Sequence, residues 1–174
     1  MNISKTEILQ RLSNLGMGSV RMLTEINTNP ELIDAYVDYA ISNEKYAWRA
    51  AWVLQHLSQS NPEKLQKHSD KFVMALNSIE IHGHIREMLK IILNLKLSEE
   101  QTSEVFDSCY QLLQNNKMQS SVRFTCFNFL LKVANDYPEL KEEIRITFEN
   151  IKDYLSPGIK RGMELRLQKE ILTK

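Results

Sequence analysis

An all-α fold, an α-α superhelix of about five helical hairpins, is predicted by three observations. Backbone breakers are scarce, with five Gly and four Pro among 174 residues, which leaves little material for the tight turns of a sheet. Leu, Lys, Glu, Gln, Met and Ala, all good helix formers, recur throughout the chain. An apolar-basic pair also returns on a fixed spacing: Trp48-Arg49, Ile85-Arg86, Val122-Arg123 and Ile159-Lys160 stand 37 residues apart each time. A fifth copy, Val20-Arg21, lies 28 residues before Arg49, as expected of a shortened terminal repeat.

Taken in order, the hairpins fall at about 4–27, 30–58, 62–96, 98–135 and 138–172, within one domain spanning 1–174. Their first helices share a start signal. Asn29-Pro30-Glu31, Asn61-Pro62-Glu63 and Tyr137-Pro138-Glu139 each put Pro at the first helical position, where its missing N–H costs nothing, followed by an acid that suits the positive end of the helix dipole. Ser98-Glu99-Glu100-Gln101 instead predicts a capping box, and Ser4-Lys5-Thr6-Glu7 opens the chain in the same way. The second helices start at the apolar-basic pairs and carry an apolar stripe at i, i+3, i+4, i+7 and i+8, clearest in Ile85, Met88, Leu89, Ile92 and Leu93. Val122, Thr125, Cys126, Phe129 and Leu130 repeat the stripe, and Ile159, Met163 and Leu167 keep most of it.

Each hairpin then has an apolar face too large for water and too narrow to bury alone, so neighbours must stack. The order of elements, the period and the apolar-basic opening of each second helix resemble the HEAT family of helical repeats across nearly the whole chain. The likeness is nearest to small bacterial HEAT-like proteins, through Arg49-Ala50-Ala51-Trp52-Val53-Leu54 and Gly158-Ile159-Lys160-Arg161. This resemblance implies a HEAT/ARM-like solenoid whose surface binds other molecules.

The basic positions Arg21, Arg49, Arg86, Arg123 and Lys160 form the most regular chemical feature. Each first helix supplies an acid 15 to 17 residues before its basic partner: Asp34, Asp70, Asp107 and Glu143. Two readings stand. The acids and bases form a ladder of ion pairs, with Asp70–Arg86 and Asp107–Arg123 as partners, or the bases line one face as a receptor for an acidic peptide or phosphate chain. Trp48 and Trp52 align with Ile85 and Leu89 and are expected in the core. Phe124, Phe127 and Leu131 fall off the main stripe of their helix, which is therefore buried on two sides or exposes an apolar patch. His82-Gly83-His84 lacks further Cys or His at ligand spacing, so no metal site is expected, and Gly83 reads as a turn before a helix.

Composition excludes several function classes. Twenty-two basic residues balance 22 acidic ones, so no long-range field draws polyanions or an anionic membrane, and the basic stretch 157–174 reads as solvated helix charge. This argues against nucleic acid as a partner. No apolar run approaches the ~18 residues of a membrane span, and residues 1–5 show no leader pattern. Cys109 and Cys126 lie in apolar helical patterns and behave as buried thiols, which fits the cytoplasm. No phosphate-binding glycine loop, nucleophile elbow or meaningful carboxylate pair is present, so neither an enzyme activity nor a cofactor is expected. The function expected is a binding or scaffolding module recognising another protein. The alternative is a relative of the HEAT-like DNA glycosylases that binds nucleic acid.

Overall fold

A computed structural model describes residues 5–13 and 19–172, with side chains for 6–13 and 22–169. Among the described residues there are ten α-helices and no strand. They are α1 (Lys5–Ser13), α2 (Ser19–Thr28), α3 (Pro30–Ala40), α4 (Ala47–Ser60), α5 (Ser69–Leu76), α6 (His82–Leu93), α7 (Glu99–Gln114), α8 (Ser120–Asp136), α9 (Leu140–Ile151) and α10 (Pro157–Leu172). The fold is all-α and of the helical-repeat type. Its contacts fall into two compact units, residues 1–101 and 102–174.

Local chemistry explains most helix starts. Pro30 opens α3, and the Asn29 side chain accepts the Glu31 N–H at 3.1 Å. The capping box before α7 is complete: Gln101 N–H donates to Ser98 Oγ at 3.2 Å, and Ser98 N–H donates to Gln101 Oε1 at 2.9 Å. Pro62 and Pro138 behave differently from the expectation. Pro62 opens a short 3₁₀ segment, Pro62–Lys64, a second follows at Gln66–His68, and α5 begins only at Ser69. The tighter turns seat Leu65 in the core and let the Gln66 amide bridge the Lys96 backbone, accepting its N–H at 2.9 Å and donating to its carbonyl at 2.7 Å. Pro138 likewise lies in a turn ahead of α9. Ser4 lies outside the described residues.

In the first unit the second helices form the core. Ala50, Ala51, Val53, Leu54 and Leu57 of α4 are buried, as are Ile85, Met88, Leu89 and Ile92 of α6, and the two helices pack side by side. Small residues at 50 and 51 let the backbones approach. Several polar bonds between hairpins span about one sequence period. Arg49 Nη1 donates to Leu12 O at 2.7 Å and Lys64 Nζ to Asn27 O at 2.6 Å, both across 37 residues. Asn94 Nδ2 donates to Ser58 Oγ at 2.9 Å, across 36. In the second unit the Tyr110 and Thr147 hydroxyls bond at 3.0 Å, again across 37 residues.

Two histidines are built into the first unit as neutral groups. His84 is buried and its Nε2 lies 2.7 Å from Ala40 O, so Nε2 carries the proton and donates. His68, also buried, meets Asp34 Oδ1 at 2.9 Å. Burial pushes both imidazoles below their ordinary value, outweighing the carbonyl at His84 and the carboxylate at His68.

Met88→Asp places an unpaired carboxylate in the shared core and is expected to cost at least about 3 kcal/mol or prevent folding, as read by urea denaturation. A loss below about 1 kcal/mol contradicts the packing. The histidines predict a pH dependence. A base whose native pKa is depressed contributes stability fully above its unfolded value, about 6.5, and loses it as pH falls below that. The melting temperature is therefore expected to fall between about pH 6.5 and 5 and to fall less in His84→Gln. A flat profile contradicts the buried neutral pair.

Candidate functional site

The basic positions are engaged by the fold, and not by the acids expected to pair with them. The Arg21 side chain lies outside the described ones. Arg49 donates to Leu12 O and Ser13 O at 2.7 and 3.2 Å, satisfying carbonyls in the last turn of α1. Arg123 is only 1% exposed and donates through Nε to Leu113 O at 2.7 Å in the last turn of α7; burial lowers its pKa, and it meets no carboxylate among the described residues. Arg86 sends Nε and Nη2 to Glu87 Oε1, each at 2.9 Å, and Lys160 reaches Asp153 at 3.1 Å.

The acids face elsewhere. Asp34 takes Lys67 at 2.7 Å as well as His68, and the Lys67 bond is the main reason its carboxyl sits below the ordinary range. Asp70 accepts the Gln101 amide at 2.5 Å, while Asp107 and Glu143 are exposed. The predicted pairs Asp70–Arg86 and Asp107–Arg123 are thus not formed. The reason is depth: the acids lie six to eight residues before the end of their helix, and the bases two to four after the start of theirs. For Asp107 and Arg123 the mismatch is four residues, about one helical turn or roughly 6 Å, while for Asp70 and Arg86 it is only two, and there the carboxylate is taken by the Gln101 amide.

The aromatic expectations also divide. Trp48 is 40% exposed and not in the core, lying with Tyr46 beside the Arg49 guanidinium at 5.2 and 4.6 Å. Tyr46 occupies the left-handed region at φ 69°, which lets α4 start with these rings turned outward. Trp52 is half-buried against His56, ring centroids 4.1 Å apart. Phe127 and Leu131 are buried, with Phe127 6.0 Å from the Phe148 ring, so they form no exposed patch. Among the described residues no three His, Cys, Asp or Glu side chains gather as metal ligands.

The second unit contains a site that sequence reasoning passed over. Gly162 brings α10 against α8; a Cβ there would meet the Phe124 ring at 3.1 Å. One turn further on, the Arg166 guanidinium lies 4.6 Å from the centre of that ring, and its Nε donates to Asn128 Oδ1. Beyond this pair opens a groove of about 370 Å³ lined by Asn128, Leu131, Lys132 and Asn135 of α8 and by Arg166 and Lys169 of α10. The α8 residues stand at i, i+3, i+4 and i+7, one continuous helical face. Among the described residues, three cations and two amides therefore line a groove without a carboxylate. The signal for it was present as polar positions on a helix otherwise apolar nearly all round. A smaller cleft of about 190 Å³ in the first unit also holds two lysines, but Lys64 is bound to Asn27 and Lys67 to Asp34.

The HEAT repeat domain family matches residues 5–171, and the chain belongs to that family. It is a helical-repeat scaffold. No curated protein and no solved structure gives a significant match.

Double-mutant cycles distinguish the observed charge network from the expected one. Asp70–Arg86 and Asp107–Arg123 should be additive within about 0.5 kcal/mol, while Arg86 and Glu87, whose carboxylate is buried, should couple by about 0.5 to 3 kcal/mol. Coupling in either of the first two cycles contradicts the observed partners.

Proposed function

We propose that the chain is a non-catalytic binding module that recognises another protein through the groove between α8 and α10. The observation that carries this reading is the groove itself, a concave strip that two packed helices furnish with polar side chains fixed to rigid backbone. Membership of the HEAT repeat family supports it, since such scaffolds typically serve protein interactions. Two buried cysteines, both thiols, suit a reducing compartment and support a cytoplasmic location.

Filling the groove tests the reading. Asn135→Trp places a large ring on an exposed position of α8, whereas Lys71→Glu alters an exposed position of α5 outside the groove. Immobilised wild-type chain and Lys71→Glu are expected to retain the same protein from a native lysate, and Asn135→Trp to lose it with an unchanged circular dichroism melt. Retention by all three contradicts this use of the groove.

A further inference from the structure

We infer that the groove between α8 and α10 takes an acidic peptide segment of its partner, with the Arg166 guanidinium as the carboxylate-binding fork; this rests on the binding-module reading above. Arg166 is held on two sides. Phe124 supports one face of the guanidinium, and the Nε–H is directed to Asn128 Oδ1. Its two Nη groups make no hydrogen bond among the described residues. A planar cation oriented in this way has lost much of its rotamer freedom before a ligand arrives, so less affinity is forfeited on binding. Two parallel N–H donors match the two oxygens of a carboxylate.

The rest of the groove extends the same preference. Lys132 and Lys169 add positive charge, and among the described residues no acid lines the groove, the nearest on α8 being Asp136, one turn from Lys132. Asn128 and Asn135 lie seven residues apart on α8, about 10 Å along the helix axis. Their amides both donate and accept, which suits the N–H and C=O groups of an extended chain. Leu131 supplies the one apolar wall between them. Three cations beside an apolar side chain favour a short acidic segment with a hydrophobic residue over duplex nucleic acid, which requires a broad basic surface. The first unit's cleft offers no guanidinium fork: its cations are Lys64, bound to Asn27, and Lys67, bound to Asp34.

The test uses the full chain and three fluorescein-labelled probes: a short Glu-rich peptide with a central Leu, the same peptide with every Glu replaced by Gln, and a duplex DNA of about two helical turns. Fluorescence anisotropy is read at about 50 mM salt, where electrostatic differences are large. The acidic peptide is expected to bind at least about tenfold more tightly than the Gln peptide and more tightly than DNA. Arg166→Met should remove most of that difference, and Arg166→Lys should restore only part, because an ammonium is a point charge and not a fork. Equal binding of the two peptides, no binding of either, or tighter binding of DNA overturns the inference. Comparison with the Asn135→Trp capture experiment separates the two failures. If filling the groove abolishes capture while the peptides bind alike, only the acidic identity of the partner fails. If filling the groove leaves capture intact, the site itself is wrong.

Discussion

Every other feature depends on one constraint: a helical hairpin cannot close its own core. The apolar stripe of each second helix is covered on one side by its own first helix, and the remainder must meet the next hairpin. In the first unit this is satisfied where Ala50, Val53, Leu54 and Leu57 of α4 pack against Ile85, Met88, Leu89 and Ile92 of α6. Hydrogen bonds between like positions of neighbouring hairpins, such as Asn94 to Ser58 and Tyr110 to Thr147, are the same constraint expressed in polar groups. Stacking in register brings equivalent positions of consecutive repeats side by side, and one repeat's side chain finishes its neighbour's helix end.

This accounts for the fate of the regular basic positions. At the entry to a second helix, a long cation lies near the end of a first helix, where carbonyls lack intrahelical partners. Arg49 and Arg123 both turn to such carbonyls, the first to the preceding hairpin and the second to its own. A guanidinium at 1% exposure without a carboxylate is tolerable where a backbone acceptor and the negative end of a helix receive it. Two of the four described basic positions thus serve helix ends, while Arg86 and Lys160 turn to Glu87 and Asp153. Three further cations, Lys132, Arg166 and Lys169, line the groove between α8 and α10.

Much of the fold was legible because period and punctuation are local. The 37-residue spacing, the stripe Ile85-Met88-Leu89-Ile92 and the capping box Ser98–Gln101 each act within a few turns of chain. Pro62 and Pro138 misled because a proline marks where a helix is permitted to start, while burial of Leu65 decided where α5 did start. Trp48 was placed in the core by analogy with Ile85, but at the entry of α4, after the left-handed Tyr46, Ala47 and Ala50 take the buried positions and Trp48 is left 40% exposed. Residue counts across a turn carry neither axial depth nor competing partners: Asp70 takes the Gln101 amide, and Arg123 the Leu113 carbonyl. Asn128, Lys132 and Asn135 had a visible helical spacing, but their partner Arg166 is 38 residues beyond Asn128, and only the approach at Gly162 joins them.

Whether the packing of α10 on α8 creates the proposed ligand-binding surface is read by ¹⁵N NMR of the full chain titrated with the Glu-rich peptide. Side-chain amide resonances of Asn128 and Asn135, with the Nε resonance of Arg166, are expected to shift together on one binding curve, while the Trp48 indole stays in place. Shifts centred on Trp48 and Tyr46, with the Asn128, Asn135 and Arg166 signals unmoved, would contradict it.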